Sequence, residues 1–289
     1  MGQYPSKVYL NGEIVDHQNA RVSVFDRGFL FGDGIYEVMV QLDGSFFYEK
    51  AHLQRLSDCL QKISIAFDVN TLPARIQDLL RASGLQEKDC LLYIQVTRGT
   101  APRKHAFPTN VPPTVMMYAL PHVLPDINTN DTSAITMPDF RWSRCDIKMT
   151  SLLGNVMAND TAIKQGAFEA VLVRDGKITE ASHCNVFFVR DSIVHTHPAD
   201  EHILNGITRQ IVIKLCADLG LEVREEAVRQ TDIAHMDEAF LTGTTTQIAS
   251  VRQIDTHVFY SDGNAGKVTR RLQEAFFELK KGMKKVLQD

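Results

Sequence analysis

The chain holds a single tryptophan and five cysteines in 289 residues, and no two cysteines stand in C-x-x-C spacing. An odd set of scattered thiols offers neither a disulfide framework nor a zinc site, and it suits a reducing, cytoplasmic setting. No apolar run is long enough to span a bilayer, and no charged-then-apolar leader opens the chain, so no membrane segment or signal peptide is expected. The net charge of -4 carries no basic signature for nucleic acid or a membrane surface. Also missing are G-x-S-x-G, a Walker loop and G-x-G-x-x-G, which excludes a serine hydrolase, a P-loop enzyme and a Rossmann dehydrogenase of ordinary type. His195-Thr196-His197 with His202 has no carboxylate or cysteine at a familiar ligand spacing, so no metal is expected. Internal repeats and low-complexity tracts are absent. Met1-Gly2-Gln3-Tyr4-Pro5-Ser6 fits a myristoylation pattern, and Asn130-Asp131-Thr132 and Asn159-Asp160-Thr161 are formal glycosylation sequons; such short matches carry little weight.

What is present describes a globular protein: 44% hydrophobic and 23% charged residues over a length that suits one large or two ordinary domains. Val8-Tyr9-Leu10, Asn11-Gly12 and Ile14-Val15 form a hairpin pattern. A glycine-punctuated loop over Asp26-Arg27-Gly28 and Gly32-Asp33-Gly34 leads into a strand from Ile35 to Gln41, on which Tyr36, Val38 and Val40 share a face. Helical spacing runs from about Lys50 to Ile63 and again around Ile76, Leu79 and Leu80 up to Gly84. Strands are expected over Leu91 to Arg98 and Thr114 to Leu120, joined by a cationic loop that holds Arg103 and His105. Residues 121–132 lack apolar periodicity, which places a linker between a domain of residues 1–120 and one of residues 133–289. The second half is expected to open on a strand-like Phe140 to Lys148, with Phe140, Trp142, Arg144, Asp146 and Lys148 on one side. Helices are expected from Leu152 to Gln165, from the opening run Leu204 to Arg209 up to Gly220, and from Gly266 to Val286, with hairpin strands from Glu169 to Val189 and at Ile193 to Thr196.

Several residues invite chemistry. Lys148, beside a second cation, is a candidate amine nucleophile. Tyr36 can point into a cavity. Arg103 and His105, two apart, can converge on one anion. Glu180, in a small-residue turn after a strand, can meet a ring nitrogen. The helix opened by Leu204 to Arg209 offers free N–H groups, a positive dipole end and the Thr208 hydroxyl, which together can accept phosphate. Thr244, in a hydroxyl-rich loop, can add a donor. Each has a plain alternative: a solvated strand-end lysine, a sheet tyrosine, a solvated basic loop, an exposed turn carboxylate, a capping threonine and a turn threonine. Arg55, off its helix's apolar stripe, reads by itself as a solvated face residue.

Taken together they are more specific. A Schiff-base lysine, an acid for a pyridine nitrogen and a cradle for a phosphate dianion are the parts of a pyridoxal-phosphate site. With Asp26-Arg27-Gly28, Phe31-Gly32-Asp33-Gly34-Ile35-Tyr36-Glu37-Val38, His52-Leu53-Gln54-Arg55-Leu56, Val96 to His105, Arg141 to Lys148, Thr179-Glu180, Asn185-Val186-Phe187 and Gly206-Ile207-Thr208-Arg209, nearly the whole chain resembles the fold-type IV pyridoxal-phosphate aminotransferases. Within them it is most similar to the D-amino-acid (D-alanine type) transaminases. The resemblance implies a mixed α/β fold with a smaller N-terminal α/β domain and a larger, β-rich C-terminal domain. It implies a homodimer with the site at the subunit and domain interface, and ping-pong transamination of D-amino acids with 2-oxo acids. Lys148 would hold pyridoxal 5'-phosphate as an internal aldimine, and Glu180 would keep the pyridine nitrogen protonated. Arg55, Ile207, Thr208 and Thr244 would bind the phosphate, and Leu204 would pack under the ring. Tyr36, with Arg103 and His105 of the neighbouring subunit, would take the substrate carboxylate. Leu153 stands where branched-chain relatives carry a tyrosine, which favours D-amino acids. Ser182-His183-Cys184 departs from a serine-rich run in the D-specific relatives. A branched-chain L-aminotransferase, an (R)-amine transaminase, an aminodeoxychorismate lyase and a non-catalytic pyridoxal-phosphate binding protein share the same framework.

Overall fold

The computed structural model describes residues 4–129, 131–261, 263 and 265–286. The start of the myristoylation pattern and Asn130 of the first sequon lie outside the described residues. The chain divides into two compact units, one of residues 1–123 with 147–151 and one of residues 124–146 with 152–289.

The first unit is an antiparallel sheet covered by helices. In chain order it contains β1 (Lys7–Leu10), β2 (Glu13–Asp16), a short α1 (Arg27–Phe31), β3 (Gly34–Leu42), β4 (Ser45–Phe46), α2 (Glu49–Lys62), α3 (Leu72–Ser83), β5 (Cys90–Thr97) and β6 (Thr114–Pro121). The six strands lie in the order β2-β1-β6-β5-β3-β4. The Asn11-Gly12 turn joins β1 and β2 as its sequence requires, with both residues at positive φ. Alternation along β3 turns Ile35 and Met39 into a core with Leu56 and Leu60 of α2 and Ile76, Leu79 and Leu80 of α3. Gly84 ends α3 in the left-handed conformation. The loop expected at Asp26 to Gly34 contains one helical stretch, α1, capped by Asp26 at Gly28 N.

The second unit holds β7 (Asp131–Pro138), α4 (Leu153–Lys164), β8 (Glu169–Arg174), β9 (Lys177–Ala181), β10 (Asn185–Arg190), β11 (Ile193–Thr196), α5 (Ile207–Asp218), β12 (Val223–Glu225), β13 (Glu238–Gly243), β14 (Gln247–Ile254), β15 (His257–Val258) and α6 (Lys267–Val286). Its strands run in the order β12-β11-β10-β13-β14-β7-β8-β9, with β15 on β14. β7 is parallel to both β14 and β8, and most other pairs are antiparallel. The core is apolar and small-grained, with Ala134, Val171, Ala181, Phe188, Leu241 and Ala249 among its members. The strand β7 was not legible in residues 131–138, where threonine and serine dilute the apolar alternation.

The strand expected at Phe140 to Lys148 does not form. Bends and turns occupy the segment, because its backbone groups find single side-chain and carbonyl partners in place of a ladder. Arg141 N donates to Asp139, and Cys145 N donates to Glu201 O. Arg144 and Asp146 pair with each other at 2.9 Å. The stretch from Ile147 belongs to the first unit, where Met149 bridges to Ile35.

Candidate active site

In the first unit, β3 presents two faces. Glu37 lies on the inner one, fully buried among apolar neighbours, and a carboxylate there must be paired. Two residues of α2 at i, i+3 spacing meet it. His52 Nδ1 is 2.9 Å from Oε1, and Arg55 donates from Nε to Oε2 at 2.9 Å and from Nη2 to Oε1 at 2.6 Å. Burial acts to raise the Glu37 carboxyl, but Arg55 and His52 hold it well below the usual carboxylate range. Burial also lowers His52, against the pull of Glu37. Arg55 is therefore not a solvated face residue; its side chain is 12% exposed and anchored from beneath. Neither Glu37 nor His52 was singled out from the sequence, although a charged residue at an inward position of an alternating strand is a readable signal.

The outer face carries Tyr36. Its ring stacks on Tyr93 at 5.7 Å between centroids, and Tyr93 stacks on Tyr118 at 5.1 Å. Lys148 is brought to this face by backbone pairing: Tyr36 N donates to Lys148 O at 3.0 Å, and Thr150 N donates to Gly34 O at 3.0 Å. The Lys148 Nζ lies 4.1 Å from the Tyr36 ring centroid, and Lys148 N donates to Cys59 Sγ at 3.4 Å. The cationic loop is pinned by its buried neighbours, since Arg27 and Arg98 both donate to Asp33 Oδ2 at 2.8 Å. This leaves Arg103 and His105 exposed, and both lean on the Phe31 ring, at 5.1 Å and 5.8 Å.

In the second unit, Glu180 closes β9 with a buried carboxylate. Oε1 accepts from Arg141 Nη1 at 2.6 Å, while Oε2 accepts from Leu204 N at 3.0 Å and Asn185 Nδ2 at 3.1 Å. Burial pushes the carboxyl up to about 7 against the opposing pull of Arg141 and the Leu204 N–H. The plain alternative of an exposed turn carboxylate thus gives way to a buried, three-bonded one. Leu204 is half-buried and linked to the same group, since Asn185 Nδ2 also donates to Leu204 O at 2.8 Å. Arg141 and Asn185 were passed over as individual residues in the sequence.

The start of α5 is open. Gly206 is its N-cap, and no side chain caps it, so Thr208 does not fill the capping role. As at any helix start, the N–H groups of Ile207 and Thr208 have no partner within the helix, and both residues are only 5% exposed. Thr244 follows the end of β13 and is half-buried. His183 pairs with buried Glu169, Nδ1 to Oε2 at 2.6 Å, and Glu169 also accepts from the backbone N–H groups of Ala170, Ser182 and His183.

The sequence pattern of the family described as Amino-transferase class IV matches residues 34–254. The chain belongs to that family. A D-alanine aminotransferase of Bacillus licheniformis is 40% identical to it over 272 residues, 93% of this chain and 95% of the relative. Among solved structures, the branched-chain amino acid aminotransferase of Escherichia coli superposes with a TM-score of 0.88 at 26% identity, covering 96% of this chain and 95% of that one. The branched-chain aminotransferase of Thermobaculum terrenum, solved in its PLP form, gives 0.80 at 25% identity, covering 95% of this chain and 94% of that one. This aminotransferase therefore has the mixed α/β fold-type IV architecture of its family.

Proposed function

We propose that this aminotransferase uses pyridoxal 5'-phosphate to move the amino group of D-amino acids, of the D-alanine and D-glutamate type, to 2-oxo acids. The observation that carries the substrate class is the higher identity to a D-alanine aminotransferase than to the branched-chain enzymes that share its fold. The side chains present fit the cofactor. A Cβ at Gly206 would run into Asn185 Oδ1, and the start of α5 has no side-chain cap, which leaves its first N–H groups for a phosphate. Glu180 is a buried carboxylate of the kind that keeps a pyridine nitrogen protonated.

When bound, the cofactor supplies an aldehyde that condenses with amines and a ring that takes up the electron pair of the substrate's Cα–H bond. Lys148 is assigned as the residue that would anchor this group and as the base that would carry the Cα proton. Glu180 would hold the proton on the ring nitrogen. Ile207 and Thr208 N–H, the Thr208 and Thr244 hydroxyls and Arg55 are assigned to the phosphate, and Leu204 to the ring face. Arg103 and His105, with Tyr36, are assigned to the substrate carboxylate, the first two acting from a second copy of the chain. A homodimer accords with Leu153, Val156 and Met157 on α4, which are 72%, 58% and 54% exposed. A cytoplasmic setting accords with five free, buried cysteines. Among the described residues no helix is long and apolar enough to cross a membrane.

The test is the half-reaction of cofactor-loaded protein with D-alanine and, separately, L-alanine, followed by the visible absorbance. Faster bleaching with D-alanine is expected. Faster bleaching with L-amino acids would move the substrate class to that of the branched-chain enzymes and remove Arg103 and His105 from the carboxylate.

A further inference from the structure

Asp139 stands just beyond the end of β7 and Arg141 two residues later, and both side chains are sealed off, at 0% and 5% exposure. The guanidinium forks onto Asp139, with Nε on Oδ1 at 2.9 Å and Nη2 on Oδ2 at 3.0 Å. A planar fork held at two points has one orientation, and here it aims Nη1 at Glu180 Oε1, 2.6 Å away. Asp139 is itself fixed, by Thr179 Oγ1 at 3.0 Å and by Arg174 at 3.3 Å. Glu180 is held at its other oxygen by Asn185 and Leu204 N, so the plane of its carboxylate is set from both ends.

Charge follows the same geometry. Burial drives Glu180 towards its neutral form, the nearby Asp139 adds to that drive, and Arg141 is the cation that opposes it. With Arg141 removed, Glu180 would face Asp139 without a shared counter-ion, and its carboxyl would move further towards the neutral form. A neutral carboxylic acid cannot stabilise a protonated ring nitrogen.

We infer that Arg141, clamped by Asp139, is a positioning residue that favours the ionised form of Glu180 and orients it for the ring nitrogen of the bound cofactor. This rests on the assignment of Glu180 under the proposed function. The simpler alternative is that Arg141 only ties the end of β7 to β9. The two differ in what they do to discrimination at one atom of the ligand.

The full-length protein, freed of cofactor, is titrated with pyridoxal phosphate and with the analogue that carries C–H in place of the ring nitrogen. The ratio of the two dissociation constants is the readout. The unaltered chain should favour pyridoxal phosphate by about tenfold or more, the size of a hydrogen bond to a charged group. Arg141→Gln should bring the ratio to within about twofold, as should Glu180→Gln. Arg141→Lys, with one compact cation to share between two carboxylates, should fall between. If Arg141→Gln does not fold, Arg141→Lys decides by the same ratio. A variant of Arg141 that weakens both ligands equally and leaves the ratio intact would show a purely structural role and overturn the inference. A ratio left intact by Glu180→Gln would instead overturn the assignment of Glu180 itself.

Discussion

The ammonium of Lys148 sits over the ring of Tyr36, 4.1 Å from its centroid, and the backbone of the same two residues is joined by a 3.0 Å hydrogen bond. Tyr36 is in turn fixed by its stack on Tyr93. The amine is thus placed by a strand pairing and a ring, not by an ion pair of its own among the described contacts. Lys148→Ala should lower turnover by at least roughly 10²- to 10⁴-fold, the range of a lost acid–base group. Far-UV circular dichroism should not change, and the visible absorbance of the lysine-bound cofactor should be absent. A variant that keeps turnover would remove Lys148 from the chemistry.

Arg103 is exposed and touches only Phe31 among the described ring contacts, so its loss should not unsettle the fold. Arg103→Ala should raise KM for D-alanine by about tenfold to a hundredfold, the loss of a charge-assisted contact, and leave the cofactor's spectrum intact. Steady-state kinetics check this; an unchanged KM would place the carboxylate elsewhere.

Glu37 is buried beneath Arg55 and His52. Glu37→Gln leaves the Arg55 cation buried without its counter-ion, and breaking such a pair costs about 3–5 kcal/mol. The urea midpoint should drop accordingly. Cofactor affinity should fall as well, because the helix face that holds Arg55 loses its anchor.

Gly206 abuts Asn185, whose amide bridges Glu180 and Leu204. Gly206→Ala should therefore cost about 1–3 kcal/mol of stability, as overpacking does, and weaken cofactor binding beyond that. Equilibrium titration with pyridoxal phosphate separates the two effects. Normal affinity would mean that Asn185 moves aside without consequence.

His183 and Glu169 set a pH dependence. Burial acts to lower His183, but Cys184 and Glu169 raise it to about 11 from the ordinary 6.5. A raised folded-state value means stability that is complete below pH 6.5 and lost as pH rises towards 11. Glu169, held low by His183 and Ser182 despite burial, sets the acid limb: its contribution is present above its ordinary 4.5 and is lost in stronger acid. The His183 side chain is 46% exposed, so solvent screens the pair and about 1 kcal/mol is the most to expect. Thermal unfolding against His183→Gln should show an advantage at neutral pH that shrinks in alkali; a constant difference would mean that the pair does not titrate as described.

The sequence by itself determined the element types wherever periodicity was strong. The β3 alternation, the Asn11-Gly12 hairpin, the α2 and α3 stripes and the Gly84 stop were all legible, because local chemistry decides them. Ordered motifs along the chain also marked the family before any packing was known. Other features needed tertiary structure. A helix position off the apolar stripe looks solvated until a strand presents a buried carboxylate, as Glu37 does to Arg55. A run such as Phe140 to Lys148 looks like a strand until its donors find side chains and single carbonyls in place of a ladder partner. Residue spacing cannot show that Lys148 pairs back onto β3, or that Arg141 and Glu180, far apart in the chain, share one hydrogen bond. Both depend on contacts between distant segments, which only the folded chain brings within reach.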